Sequence, residues 1–233
     1  MKYKNAVVTG GVGSIGSELV KKLLSDGAEK VMVLDIDEIR LYHLTKKIND
    51  ERLQTCIADV RDDISIDRAL SHIGDIDVIF HTAALKHVVI CEQNPYEASL
   101  TNIIGTQKVV DVAIKRNIPS CIYISTDKAA DPINVLGATK LVGEKIFLAA
   151  AKKQKNTFSI ARFGNVANSR GSVIPVLVDS LIHKKEITIT NPEVTRFIMR
   201  IADAVELIFK SLEISLGGEI FVLKMNSFRL GDL

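Results

Sequence analysis

Short runs of aliphatic and β-branched residues recur along this chain, and the stretches between them carry apolar residues at helical spacing. Asn5 to Thr9 predicts a buried strand. Ile15, Leu19, Val20, Leu23 and Leu24 then fall on one stripe of a helix. Lys30 to Leu34 predicts a second strand ending at Asp35, and Glu38 to Ile48 a helix with Leu41, Leu44 and Ile48 on one face. Leu53 to Ala58 reads as a third strand, Ile66 to Ile73 as a helix and Val78 to His81 as a fourth strand. A long helical region from Pro95 to Asn117 leads to the fifth strand, Ser120 to Ser125. A helix from about Gly137, with Lys140 in its first turn, leads to the sixth, Phe158 to Phe163. Strands alternating with helices of this length imply right-handed crossovers and a parallel sheet covered on both faces.

After Gly164 the pattern loosens: Pro175 to His183 predicts a helix, Glu186 to Thr190 a short strand, Ala202 to Leu212 a helix and Glu219 to Leu223 another strand. The fold class is α/β, a Rossmann-type doubly wound parallel sheet with a small C-terminal lobe. The division is residues 1–165 for the parallel-sheet domain and 166–233 for a partial second lobe, interleaved with the first. The chain stops at RLGDL, where a helix is expected to start, and so reads as truncated.

Composition narrows the field. Hydrophobic residues make up 47% and charged residues 25%, with a net charge of +2. That balance fits a globular protein and offers no basic surface for nucleic acid. No apolar run approaches a membrane span, and the N-terminus is strand-like from the start, so the expected location is the cytoplasm. Cys56, Cys91 and Cys121 are unclustered in apolar contexts and read as buried free thiols.

The chemistry begins at GGVGSIG. Gly10, Gly13 and Gly16 lie between a strand and a helix, where glycine permits a tight turn and close approach of a pyrophosphate to the main chain. Gly10, Gly13, Ser14, Ile15 and Gly16 are the candidate contacts. About twenty residues on, Asp35 ends the second strand, placed to accept hydrogen bonds from the adenosine ribose and to repel a 2′-phosphate. No arginine follows directly, so the cofactor expected is NAD rather than NADP. Asp59 and Val60 should lie near the adenine, and Ala83 and Ala84 where the cofactor passes over the fourth strand. His81 and His87 lack companions at metal-ligand spacing, so no metal is expected. The stretch ISTDKAADPINVLGATK puts Thr126, Asp127 and Lys128 at the carboxyl end of the fifth strand, where open parallel sheets bind ligands. On spacing alone Asp127 and Lys128 are either solvated loop charges or a reactive pair.

With the glycine loop, DVRD, HTAALKH, TNIIGT, STDKA, GATK, RFGNV, SRGSVIP and TRFIM in order, the chain resembles the extended short-chain dehydrogenase/reductases. More narrowly, it resembles the nucleotide-sugar 4,6-dehydratases that act on UDP-N-acetylglucosamine in surface-glycan biosynthesis. The match covers almost the whole chain, and the dehydratases typically continue beyond the point where it ends. It departs from the wider superfamily at Leu136, four residues before Lys140, where a tyrosine would remove the substrate's hydroxyl proton. Some of the dehydratase group resemble this chain in carrying an apolar residue there, usually methionine. Asp127 or a bound water is then left to serve the oxidation.

The resemblance implies an internal redox cycle: oxidation at C4 of the hexose, loss of water across C5–C6, and return of the hydride to C6. Lys128 is the implied base at C5 and Asp127 the acid at the C6 oxygen, with desolvation tuning both. Thr126 would bond the C4 hydroxyl, and Lys140 would hold the nicotinamide ribose. Lys86, His87, Asn165, Ser172, Val173 and Arg196 are the candidate contacts to a UDP-sugar; the alternative for Arg170 and Arg196 is a surface ion pair. A homo-oligomer is expected. Two other readings stay open: a nucleotide-sugar 4-epimerase, and a non-catalytic dinucleotide-binding sensor or scaffold.

Overall fold

The computed structural model describes residues 3–153, 155–167, 169, 173–186 and 191–232. Seven strands, all paired in parallel, form the main sheet. Their order is β3 (Leu53–Ile57), β2 (Lys30–Asp35), β1 (Asn5–Thr9), β4 (Val78–His81), β5 (Ser120–Thr126), β6 (Thr157–Phe163) and β9 (Ile220–Val222). The order reverses between β1 and β4, and this switch point is where the chain leaves a crevice beyond the strand ends.

Alternation along each strand feeds two apolar layers. Ala6, Val8, Val31, Val33, Phe80 and Ile122 face α1 (Ser14–Ser25) and α9 (Ile201–Ile214), meeting Leu19, Leu23, Ile208 and Phe209. Val7, Met32, Leu34, Ile79, Cys121, Tyr123 and Ile160 face the other way. There they meet side chains of α3 (Asp63–Leu70), α6 (Gly105–Lys115) and α7 (Val135–Lys153). Cys91 and Cys121 are buried and Cys56 is only half-buried, so one of the three expected interior thiols reaches the surface; all three are free.

Several elements differ from expectation for identifiable reasons. A separate helix, α4 (Val88–Gln93), precedes the long helix expected over 95–117, which is itself divided into α5 (Pro95–Ser99), a π-helical turn at Leu100–Ile104, and α6. The turn presents Asn102 inward. The Asn102 side chain accepts from the Leu85 N–H and donates to the Leu85 carbonyl and the Thr139 hydroxyl, so a buried polar contact overrides regular helix. Helix α7 begins at Val135 because the Glu92 and Asn134 side chains accept from the N–H groups of Val135 and Gly137. Lys140 therefore falls in its second turn.

The tail divides between two sheets. Helix α9 and strand β9 complete the main layer structure. The segments β7 (Asn165–Val166), β8 (Thr195–Met199) and β10 (Ser227–Arg229) form a separate three-stranded sheet. Helix α8 (Val173–Ile182) matches the expected helix within two residues. The strand expected at 186–190 falls mostly outside the described residues, and Glu186 itself is not in a strand.

Gly143 of α7 packs against Tyr123, whose ring stacks on His81 and Phe147 with centroids 5.5 and 5.1 Å away. A Cβ at Gly143 would lie 2.4 Å from the Tyr123 hydroxyl. Gly143→Ala should therefore cost about 2 kcal/mol of stability through overpacking, against the roughly 1 kcal/mol that alanine gains in a helix. Adding Tyr123→Phe should recover part of that loss in urea unfolding. A Gly143→Ala protein as stable as the parent would refute this packing.

Candidate active site

At the switch point the glycine turn is built from main chain alone. Gly10 has φ +65, and a Cβ there would meet the Ala83 backbone at 2.6 Å. On Gly16 a Cβ would lie 2.5 Å from the Gly10 carbonyl oxygen; on Gly13 it would lie 3.0 Å from the same atom. Gly11, not singled out from sequence, is equally constrained, with Val33 at 2.6 Å. The Gly13 N–H donates to the Gly10 carbonyl, and Gly13 then opens α1 as an N-cap without a side chain. Ser14, Ile15 and Gly16 make the first turn of that helix. A side-chain-free turn leading into a helix N-terminus is the cradle that a dinucleotide pyrophosphate requires.

Asp35 ends β2 facing this turn, its carboxylate accepting from the N–H groups of Val12 (3.3 Å) and Asp37 (3.2 Å). The cap of α2 (Glu38–Ile48) is Asp37, which accepts from the Arg40 N–H, so Asp35 is not occupied as a helix cap. Asp59 is engaged by Arg61, which also reaches Glu97, and the guanidinium holds the Asp59 carboxyl below its ordinary range. Val60 is buried against Gly105. Ala83 and Ala84 follow β4, with Thr82 donating to the carbonyls of Thr9 and Gly10 across the reversal.

His81 is a structural residue. Its Nδ1 lies 2.7 Å from the Thr9 hydroxyl and its Nε2 3.0 Å from that of Thr106. Burial, with Lys140 nearby, pushes its pKa down to about 3. His87 is an exposed N-cap of α4, with exposed Lys86 before it. No cluster of potential metal ligands occurs among the described residues.

The second focus is the end of β5. Thr126 Oγ1 donates to Asp127 Oδ1 at 2.8 Å, and Lys128 Nζ lies 3.0 Å from the same oxygen. Lys128 also reaches Asn165 Oδ1 at 3.4 Å, across from the small sheet. The pair is half-buried, with the Lys128 and Asp127 side chains 30% and 23% exposed, so it lies at a surface rather than in the interior. The turn it occupies is pressed against α7: a Cβ on Gly137 would come 2.3 Å from the Lys128 carbonyl oxygen.

Lys140 is buried, donates to the Ile124 carbonyl at 2.5 Å, and lies 4.0 Å from the Tyr123 ring centroid. Burial pushes its pKa down to about 7, with the Glu144 charge opposing. Leu136 is buried beside Cys91 and Ala98, so the position four residues before Lys140 is apolar and closed. Arg196 is exposed on β8, donating to the Thr195 carbonyl. Val173 heads α8; Ser172 and Arg170 lie outside the described residues. Sequence reasoning passed over Glu144, Arg162 and Ser125, a buried cluster described below, although Glu144 is one helical turn from Lys140.

The strand reversal, the glycine turn and an acid-ended second strand define a Rossmann-type fold of the short-chain dehydrogenase/reductase kind. Comparison with known proteins agrees. The polysaccharide biosynthesis protein family matches residues 6–233. An uncharacterized membrane protein of Methanocaldococcus jannaschii is 48% identical over 100% of this chain and 70% of its own length. A UDP-N-acetylglucosamine 4,6-dehydratase (inverting) of Campylobacter jejuni is 38% identical over 99% of this chain and 70% of its own. A UDP-glucose 4-epimerase of Rickettsia bellii is also 38% identical, over 95% and 66%. The solved structure of Pen from Bacillus thuringiensis superposes with a TM-score of 0.94 at 36% identity, covering 98% of this chain and 73% of that one. The chain belongs to the polysaccharide biosynthesis protein family, among the extended short-chain dehydrogenase/reductases, as its motifs implied. No helix among the described residues is long and apolar enough to cross a membrane.

Stability should report the buried His81. An unfolded histidine titrates near 6.5, whereas His81 stays neutral to about 3, so between these values the unfolded chain binds more protons. Stability is then lost as pH falls from 6.5 toward 3, by up to about 1.4 kcal/mol per pH unit. Urea unfolding of His81→Gln across this range should show a flatter dependence; an unchanged slope would assign the loss to other groups.

Proposed function

We propose that the chain is an NAD-dependent nucleotide-sugar 4,6-dehydratase acting on UDP-N-acetylglucosamine. The observation that carries this reading is the Thr126–Asp127–Lys128 cluster at the carboxyl end of β5, ion-paired at 3.0 Å and reached by Asn165. The likeness to the Campylobacter dehydratase supports it.

The glycine turn takes the pyrophosphate, Asp35 the adenosine ribose, and Lys140 the nicotinamide ribose. Asp35 favours NAD over NADP, because a second phosphate would meet its carboxylate. When bound, the dinucleotide supplies a hydride acceptor, and later a donor, for the sugar. Proton transfer from Lys128 to Asp127 along their contact leaves a neutral amine and a carboxylic acid. The Lys128 amine then takes the C5 proton, which the ketone at C4 has made acidic, and Asp127 delivers its proton to the departing C6 oxygen, which leaves as water. Thr126 orients the C4 hydroxyl, and in place of a tyrosine phenol at Leu136, either a water accepts its proton, or Asp127 accepts it and Lys128 sheds its own to water. Residues 166–233 supply the sugar-nucleotide half, with Asn165 at the hinge and Lys86, His87, Ser172, Val173 and Arg196 around the ligand; the protein acts as a homo-oligomer.

The likeness to a UDP-glucose 4-epimerase favours a second reading, in which C4 is oxidised and reduced without elimination. Incubation with UDP-N-acetylglucosamine and NAD⁺ in deuterated water, followed by NMR, separates the two. The expected product is a 4-keto-6-deoxy sugar, one water lighter, with deuterium at C5. A C4 epimer with intact C6 would establish the epimerase. Dinucleotide binding without turnover of any UDP-sugar would leave a sensor or scaffold.

The roles within the pair separate as well. Lys128→Met should lose both C5 exchange and dehydration by about a hundredfold or more. Asp127→Asn should block dehydration, whereas deuterium exchange at C5, slowed because the Lys128 proton must then pass to water, should persist in recovered substrate. Exchange that persists in Lys128→Met would remove Lys128 as the base.

A further inference from the structure

Glu144 lies one turn beyond Lys140 on α7, with only 1% of its side chain exposed, and it reaches two strands at once. Ser125 of β5 donates to its Oε1 at 2.5 Å. Arg162 of β6, the register partner of Ser125, donates from Nε to the same oxygen at 2.9 Å and from a terminal nitrogen to Oε2. Lys140 meanwhile holds the Ile124 carbonyl. The two residues that precede Thr126–Asp127–Lys128 are thus each tied to α7, one through Lys140 and one through Glu144. On the far side of the triplet, Gly137 of the same helix abuts the Lys128 carbonyl.

A buried ion pair adds little stability over an apolar pair of similar volume. Stability alone therefore does not account for a fully buried carboxylate met by a part-buried guanidinium at this position. The charged and titratable groups around Lys140 are His81 on β4, Tyr123 on β5, Glu144 on its own helix, and Arg162 on β6 through Glu144. Of these, Glu144 is the one whose charge favours the ammonium form, beside the face of the Tyr123 ring.

We propose, resting on the reading of the site given above, that Glu144 is a positioning residue. It fixes the end of β5 through Ser125 and, one turn from Lys140 on the same helix, favours the ammonium form of Lys140 facing the nicotinamide ribose. Arg162 holds the carboxylate from its other side, through Nε on Oε1 and a terminal nitrogen on Oε2.

The test compares Glu144→Gln, Glu144→Asp and the doubly neutral Glu144→Gln/Arg162→Gln with the parent. Lys140 is followed by NMR of ¹³Cε-labelled lysine, assigned with Lys140→Met. In Glu144→Gln its titration midpoint should fall by about one pH unit, a tenfold loss of proton affinity. In the same variant kcat should drop about tenfold or more with KM for the UDP-sugar little changed, the pattern of a lost transition-state interaction. Glu144→Asp should restore both. If Glu144→Gln does not fold, the double variant, which leaves no unpaired buried cation, is measured in its place. A folded neutral variant with an unchanged Lys140 midpoint and unchanged kcat would overturn the proposal. Should the parent turn over no UDP-sugar, the dehydratase reading fails by itself, and the Lys140 midpoint together with NAD⁺ affinity still decides the role of Glu144.

Discussion

An ammonium group enclosed between a helix and a sheet is the demanding feature of this structure. Lys140 gives up water for one carbonyl, one aromatic face and a neighbouring carboxylate, and burial moves its pKa to about 7. Such a group is tolerated only where its surroundings are fixed. The helix that carries it is accordingly fixed at both levels: side chains from α4 and the preceding loop hold its first turn, and glycines at 137 and 143 let it approach the Lys128 carbonyl and the Tyr123 ring. The geometry at the end of β5 follows from that docking.

Around this interface the fold divides its work by position. The strand reversal between β1 and β4 supplies an open main-chain turn, while β5 supplies hydroxyl, carboxylate and amine in three consecutive residues. The small sheet adds the opposite wall. Gly164 admits Phe197 at 2.8 Å and the Asp127 carboxylate at 3.4 Å from where its Cβ would be, and Asn165 follows directly. Two sheets of unlike size therefore meet at one half-buried ion pair.

Much of this was legible in the sequence because it depends on local rules. Apolar runs located all six strands of the first 165 residues, since a parallel strand buried on both faces has few polar positions to obscure it. The glycine turn was readable because backbone clearance at Gly10 and Gly16 leaves no room for a Cβ, and Asp35 because an acid closes the second strand. What escaped were contacts set by tertiary register. The π-helical turn at Leu100–Ile104 exists for Asn102, whose partners Leu85 and Thr139 are remote in sequence. Glu144 looks like any helical surface acid until β5 and β6 bring Ser125 and Arg162 to it. Strand β8 was quoted as a motif, TRFIM, but its mostly exposed residues gave no apolar run to mark it as a strand.

The late arrival of β9 has a consequence for the chain as it is made. Strand β6 pairs on one side with β5, and its other side waits for residues 220–222. Throughout synthesis of the intervening segment the nascent sheet presents a bare row of amide and carbonyl groups along β6, open to pairing with another molecule. The register Ile160–Arg162 against Ile220–Val222 thus replaces a seven-residue edge with one of three residues, a length that offers little for another chain to pair with.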